Sequence, residues 1–414
     1  MAPLKVLIVG GGVVGPALAY WLARVGANIT LIERASTMRA SGQQVDLRAQ
    51  GVPMMKKMGI EAAVRAAVVH EIGTRLIDRK GRTKAFFAAA QTGSEKQSFS
   101  RQSTRSCAAT STTIDSFTQD DESDPNGKVH VSFQDGRKED FDLVVGADGT
   151  GSKTRRLMLG PDAPDPRHAL GGYIAYYSIP SNPGDSNAGT FCHLPGKVSR
   201  AIGTRKDNPE LTRVYMLMHG KDAAVDAAYK SGDLAALKKA WADLYQGGGW
   251  ECDRFTDALR HAPEADDLYC TPFEEVRLPE GSWSKGRVAL VGDSAYCQTA
   301  GGFGCTWGLG GSYVLAGEIA AVFAKDTSAP TAAVVQGARN YEKQFRPIAT
   351  ANHEGESSFE SLFFPKSSLG IWCLHSFARI AALLRLDQAI AVGEKTAKWR
   401  LPDYPELEKE QVLA

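Results

Sequence analysis

Apolar and polar positions follow several rhythms along this chain. Val6–Val9 is a short unbroken apolar run ending in glycine, the pattern of a buried parallel strand. Residues 13–25 then place apolar side chains at helical spacing, Gly26–Ala27 turns, and "NITLIER" supplies a second strand. Together they make a βαβ unit of about 30 residues. "FDLVVGADG" (141–149) and "GRVALVGD" (286–293) repeat the run-then-glycine pattern, so strands of one parallel sheet are dispersed along the chain. Between them the rhythm changes. Residues 171–179, 190–203 and 211–219 alternate, as antiparallel strands do, and 221–246 predicts a helix with Leu234, Leu237, Trp241 and Leu244 on one face. "SYVLAGEIAAVFA" after Gly311 and residues 331–345 predict further helices. Leu369–Leu386 is the most apolar late stretch, but His375, Arg379 and Arg385 interrupt it. It falls short of the uninterrupted run of about 18 residues that a spanning helix needs. A helix packed on the body of the protein is expected there, with a peripheral membrane or partner contact as the alternative. Residues 92–113 follow no period at all, and half of them are Ser or Thr.

The expected fold class is therefore α/β: a Rossmann-type nucleotide-binding domain, an inserted antiparallel-sheet domain and C-terminal helices. The boundaries expected are 1–80 plus 128–165 plus 280–330 for the discontinuous first domain and 166–279 for the inserted, substrate-binding domain. Residues 81–127 form an aberrant, shortened segment, and 331–414 a C-terminal helical region. A chain of 414 residues, 43% hydrophobic, is large enough for such a two-domain core. Charge is balanced, with 48 Lys and Arg against 47 Asp and Glu, and no single-sign run stands out, so neither nucleic acid nor an anionic membrane is expected as an electrostatic partner. Seven cysteines without a CxxC pair disfavour a disulfide framework and a zinc site, and suit a reducing interior. The N-terminal apolar run is too short for a signal peptide, so a soluble, cytoplasmic protein without an integral membrane span is expected.

Two glycine-rich turns carry the chemistry. Gly10, Gly12 and Gly15, with Val13 and Val14 between the last two, fit G-x-G-x-x-G after a strand and before a helix. The first glycine permits the tight turn, the second lets a pyrophosphate approach the backbone, and the third lets helix pack on strand. Glu33 ends the next strand about twenty residues on, where an acid accepts hydrogen bonds from a ribose. Arg34 beside it is either an adenine or phosphate contact or a solvated surface residue. The second turn follows "VALVGD": Asp293 ends a strand at the edge where α/β ligands bind, and Gly301, Gly302 and Gly304 open a helix whose N-terminus favours negative charge. Two such turns suit the two ends of one long cofactor: ADP at the first, the ribityl chain and isoalloxazine of FAD at the second. NAD needs only the first.

Three motifs in order then resemble a family, the single-component FAD-dependent aromatic hydroxylases (group A flavoprotein monooxygenases of the p-hydroxybenzoate hydroxylase fold). "VLIVGGGVVGPALAYWLARVGANITLIER" resembles the ADP-binding turn. "DLVVGADGTGSKTRR" resembles the family's D-G motif, centred on Asp148 and Gly149, and "GRVALVGDSAYCQTAGGFG" its G-D motif. "SGQQVDLRAQGVPMMKKMGI" is most similar to the tetracycline-inactivating and fungal natural-product branch, with Arg48 where the family often has a flavin-side arginine. The resemblance implies FAD as cofactor, with Gly302, Phe303 and Gly304 at the flavin and Asp148 near the pyrophosphate and ribityl chain. It implies NADPH or NADH as reductant, and a flavin C4a-hydroperoxide that hydroxylates, epoxidises or inserts oxygen into an aromatic or polyketide-like small molecule, with O2 as co-substrate. It fixes no acid or base, so no catalytic residue is named, and no metal.

The pattern departs from the family in two places. Relatives carry a helix with a Glu-x-x-Arg-like pattern where only the Ser/Thr-rich segment stands here, leaving Arg101 or Arg105 as substitutes. A proline usual in the second turn is replaced by Gln298, Thr299 and Ala300. Cys297 and Cys305 beside it are expected to fill core space. His193 and His219 either face substrate or are structural, and Tyr296, Phe303 and Trp307 line a pocket or pack in the core. Two other functions remain: an FAD-binding cyclase or isomerase without redox chemistry, and a flavin-free binding protein on the same scaffold. The intact glycine turns argue against the second.

Overall fold

The computed structural model describes residues 3–36, 45–47, 50–67, 71–89, 97–99, 110–206, 208–299, 302–325, 330–351, 364–385 and 400–408. The first βαβ unit forms as its pattern predicts, with β1 (Lys5–Val9), α1 (Val14–Arg24) and β2 (Asn28–Glu33). The chain continues through β3 (Val45–Leu47), α2 (Gly51–Lys57), α3 (Glu61–Ala66), β4 (Gly73–Ile77), β5 (Thr83–Ala88), β6 (Gln97–Phe99) and β7 (Thr110–Ser111). Next come β8 (Ile114–Gln119), β9 (Val129–Phe133), β10 (Lys138–Phe141), β11 (Leu143–Gly146) and α4 (Lys153–Leu159). The middle of the chain is β12 (Arg167–Pro180), β13 (Gly189–Leu194), β14 (Ser199–Lys206), β15 (Leu211–His219), α5 (Ala223–Ser231), α6 (Leu234–Tyr245), α7 (Cys252–His261) and β16 (Tyr269–Val276). It closes with β17 (Ser284–Lys285), β18 (Val288–Leu290), α8 (Asp293–Tyr296), α9 (Gly304–Lys325), α10 (Pro330–Ala349), α11 (Ser368–Leu383) and α12 (Pro405–Glu408).

Two large sheets organise these elements. The first runs β17-β18-β11-β1-β2-β7, with β18, β11, β1, β2 and β7 parallel. The chain steps from β1 outward to β2 on one side and returns to β11 on the other, so the strand order reverses at β1, where doubly wound sheets bind ligands. The core strands are fully buried because α1 and α9 cover them; Trp21 of α1 meets Tyr313 of α9 edge-on, centroids 4.9 Å apart. Gly304–Lys325 is long and apolar enough to cross a membrane, and 67% of its apolar window is buried inside the protein. That is the condition of a core helix.

The second sheet runs β16-β12-β15-β14-β13-β4-β5. It is antiparallel except where β4 pairs parallel with β13. The strands expected at 171–179, 190–203 and 211–219 are all here, with 190–203 split into a hairpin by the turn before Ser199. Gly73–Ile77 and Thr83–Ala88, which the sequence places in the first domain and in the shortened segment, complete this sheet, β4 between β13 and β5 and β5 at the edge. Alternation marks them as strands but does not tell which sheet they join. The single helix expected over 221–246 is two helices. Gly232 adopts φ +70, which ends α5, and the Asp233 carboxylate accepts from Ala235 N–H to start α6.

The Ser/Thr-rich segment keeps two strand pairings among the described residues. Gln97–Phe99 pairs with Val45–Leu47, and Thr110–Ser111 pairs with Ile32 and Glu33. The carboxyl end of β2 is therefore paired by β7. Arg101, Arg105 and Arg48 lie outside the described residues.

Candidate functional site

Parallel pairing brings the ends of β1, β2, β11 and β18 to one edge of the first sheet, and with them every glycine motif. Gly10 leaves β1 at φ +118, and a Cβ there would lie 2.3 Å from the carbonyl oxygen of Ala147 at the end of β11. Only glycine lets the two turns come this close. A Cβ on Gly15 would lie 2.0 Å from the Gly10 carbonyl oxygen, so the third glycine is where α1 packs onto its strand. Gly12 meets nothing within 4 Å. It faces open space at the N-terminus of α1, where backbone N–H groups have no partner within the helix. The cradle thus fits a pyrophosphate.

Val13 precedes α1 in helical conformation, and Val14 reaches across the cleft floor. A Cβ on Gly292 or Gly308 would meet a Val14 methyl at 2.9 or 2.6 Å. Glu33 is half-buried: one carboxylate oxygen accepts from Gly11 N–H at 2.7 Å and the other from Ala35 N–H at 3.0 Å. Each oxygen keeps a lone pair for a ribose hydroxyl. Arg34 is exposed.

The second wall of the cleft is built from the D-G and G-D turns. Gly149 sits at φ +79 with open space beside it. Asp148 is committed to protein: Ser152 Oγ donates to Oδ1 at 2.5 Å, and Thr154 N and Oγ1 both donate to Oδ2 at 3.0 Å. It fixes the start of α4, and anything it offers a cofactor comes from its remaining lone pairs. Asp293 opens α8, and its residue surface is exposed to the cleft. The protein crowded around its carboxyl raises the pKa, and the Glu274 carboxylate adds to this, while the Cys297 thiol acts the other way. A Cβ on Gly304 would lie 3.8 Å from Asp293 Oδ1, which puts the carboxylate beside the N-terminus of α9. Gly302, at φ +68, is exposed, and Phe303 stacks on Trp307 with centroids 5.5 Å apart.

Two residues that sequence reasoning missed hold these turns together. The Arg155 guanidinium is buried, donates to the carbonyl oxygens of Thr150 and Ser294, and so ties one motif to the other. Ser294 Oγ donates to Gly146 O at 2.6 Å, closing the gap between the ends of β11 and β18. "TRR" and "DSA" carry no signal of burial, so neither role is legible without the fold. In the second turn Thr299 Oγ1 donates to Glu274 O at 2.6 Å and Gln298 Nε2 to Ala349 O at 3.1 Å. Side-chain hydrogen bonds thus fix this turn. Tyr296 belongs to the core, with its hydroxyl accepting from Tyr341. Cys297 is buried with its thiol pKa pushed far up by desolvation, and Cys305 is half-buried; neither is in a disulfide.

The second sheet turns its two faces to different tasks. One packs Tyr177, Ile202, Val214 and Met216 against Trp241, Tyr245 and Phe255 of its helices. The other carries an aromatic row in cross-strand register: Phe191 opposite Gly203, Gly203 opposite Tyr215, Tyr215 opposite Tyr176, Tyr176 opposite Tyr269. A Cβ on Gly203 would lie 2.3 Å from the Phe191 ring, so glycine there lets Phe191 lean across to Tyr215, centroids 6.2 Å apart. Phe273 and Phe364 extend this face, and the next residue after Phe273 is Glu274, the backbone anchor of Thr299 in the G-D turn. His219 stacks on Phe364 at 5.4 Å, beside the aromatic face, whereas His193 is buried with its ring 6.0 Å from His375.

Comparison with known proteins gives a consistent picture. The family model of the FAD binding domain matches residues 3–162. The flavin-dependent monooxygenase eupH of Phoma sp is 38% identical over 98% of this chain and 98% of its own. The FAD-dependent monooxygenase asL4 of Sarocladium schorii is 34% identical over 99% of this chain and 100% of its own. Among solved structures, tetracycline destructase Tet(51) has a TM-score of 0.76 at 24% identity, covering 97% of this chain and 100% of that one. Klebsiella pneumoniae HpxO complexed with FAD and uric acid has a TM-score of 0.71 at 17% identity, covering 94% and 96%.

Proposed function

This chain belongs to the flavin-dependent monooxygenases, with FAD as cofactor, and from that premise we propose that it uses NADPH or NADH and O2 to oxygenate an aromatic or polyketide-like small molecule. The observation that carries this reading is the meeting of three elements at one sheet edge. The Gly10–Gly15 turn and the turn that opens at Asp293 lie side by side at that edge, where Val14 meets Gly292 and Gly308, and Phe273 of the aromatic face is followed by Glu274, which bonds Thr299 of the second turn. Gly12 and Glu33 hold the pyrophosphate and ribose, Asp293 the ribityl chain, and Gly302–Gly304 the flavin edge. Arg34 and Arg48 complete the cofactor set in this proposal, at the adenine end and the flavin side. When bound, the flavin supplies the redox chemistry that makes O2 reactive toward carbon.

What the chain's own residues contribute is placement and solvent exclusion. The N-terminus of α9 favours negative charge near the flavin edge. Burial holds the Tyr176 phenol well above its usual pKa, so it stays neutral and presents an apolar, polarisable wall. An extended aromatic row suits a flat, conjugated substrate, and natural-product oxidation is part of this proposal. Six described cysteines, none in a disulfide, fit a reducing compartment. The boundary of the cofactor-binding part is proposed to follow the first sheet and that of the substrate-binding part the second.

The test is NAD(P)H oxidation by the FAD-loaded protein, with O2 consumption followed in parallel. Substrate-stimulated turnover that stops under nitrogen supports oxygenation. Conversion of substrate without reductant or O2 would instead establish a non-redox cyclase or isomerase.

A further inference from the structure

α11 buries one side and leaves the other bare. Ile371, Leu374, His375 and Ala378 face the body, where the helix packs on β5 and β13. Around the opposite side, at helical spacing, Leu369 is 70% exposed, Trp372 65%, Phe377 58%, Ile380 56%, Leu383 76% and Leu384 64%. Six large apolar side chains on one stripe amount to a patch at or above the roughly 300–600 Å² found as the largest on typical monomers. The charges carried by this segment itself are of one sign. From Phe364 to Arg385 the chain has Lys366, Arg379 and Arg385 and no acidic residue, and all three cations are exposed. Elsewhere the surface helices mix signs, as with the Lys239–Asp243 and Arg260–Asp243 pairs of α6 and α7.

We propose that α11 is an interfacial helix that seats the protein on a lipid surface rich in anionic phospholipid. A helix of sixteen residues, about 24 Å long, lies flat in the headgroup layer with its apolar stripe in the acyl boundary and its cations at the phosphates. Trp372 and Phe377 are the residue types that favour that boundary. The cations stand before, within and after the helix, which matches a uniformly anionic plane. A protein partner would more naturally be met by mixed charge and hydrogen-bonding groups at the rim. The connection to the interior is direct: Phe364, just before the Ser367 cap, packs in the aromatic face against Phe273 and His219. A lipophilic substrate dissolved in the surface would lie next to the segment that enters its binding wall.

The experiment is sedimentation of the full-length, FAD-loaded protein with vesicles of phosphatidylcholine alone or with about 30% phosphatidylserine. Binding to the anionic vesicles, weakened by salt and at least about tenfold by either W372S/I380S or R379E/R385E, is expected. Flavin content and circular dichroism of both variants should match the parent, because all four side chains are exposed. No binding to anionic vesicles overturns the proposal, as does binding that neither variant changes. A lipid-free dimer dissociated by W372S/I380S would assign the stripe to a second copy instead. Trp372 shielded from a soluble quencher in lipid-free monomer would assign it to a segment of the chain itself, and either result also overturns the proposal.

Discussion

Alanine at Gly12 would meet nothing within 4 Å, whereas alanine at Gly15 would meet the Gly10 carbonyl oxygen at 2.0 Å. The consensus pattern gives both positions the same letter, and the structure separates their roles. Gly15→Ala forces α1 off its strand and should destabilise the fold by on the order of 1–3 kcal/mol, measured by denaturant unfolding of the flavin-free protein. Gly12→Ala should leave that stability nearly unchanged yet weaken FAD binding at least about tenfold, about 1.4 kcal/mol, measured by flavin fluorescence titration. Equal effects of the two substitutions would contradict the assignment. Asp293 gives a third contrast. Its carboxyl has a raised pKa in the folded protein, chiefly from desolvation. Its stabilising contribution is therefore complete below the unfolded pKa and lost as pH rises through the folded value, so the ionised form is a cost at neutral pH. Asp293→Asn should raise the melting temperature of the flavin-free protein at pH 7 while weakening flavin binding. Glycines, Glu33 and Asp293 are visible in the sequence because each stands at a fixed place relative to a strand end. Arg155 and Ser294 are not, since an arginine buried for its hydrogen bonds is spelled like one on the surface.

Among elements, α11 is tied to the second sheet through His375, which is buried beside His193. His375 Nε2 has no hydrogen-bond partner among the described residues, and burial, helped by Lys84 and opposed by Asp78, lowers its pKa below 6.5. A depressed folded pKa means stability that is present above the unfolded value and lost as pH falls through the folded one. The docking of α11 should loosen on acidification below pH 6.5. Melting temperature followed between about pH 5 and 7.5 should fall on the acid side, and His375→Phe should flatten that slope. An unchanged slope would remove His375 from the account. Strands and helices were legible wherever apolar spacing persisted over a whole element, as in β1, α1, β11, β15 and α9. The break between α5 and α6 was marked by Gly232–Asp233 but masked by helical spacing on both sides. The membership of β4 and β5 in the second sheet was illegible, because alternation encodes a buried face and not the partner strand.

For the molecule as a whole, the question is whether the two glycine turns serve one cofactor. The alignment to eupH spans 429 positions, more than the 414 residues of this chain, so that relative carries residues absent here. The described parts of the segment keep the edge of β2 covered, and Glu33, Gly12 and Asp293 stand at one edge of the first sheet. Both sheets have buried cores of their own, joined where β16 meets the G-D turn. Sequence conveyed that division through the change of rhythm after β11, and conveyed nothing of the substrate, whose walls depend on cross-strand register. The central claim is that this cleft holds one FAD. Its most direct test is the visible absorption spectrum of the purified protein, incubated with FAD and then desalted. Near-stoichiometric bound flavin, lost in Gly12→Ala, is the result expected. A folded protein that stays colourless would contradict the account, because the two glycine turns would then have no common ligand.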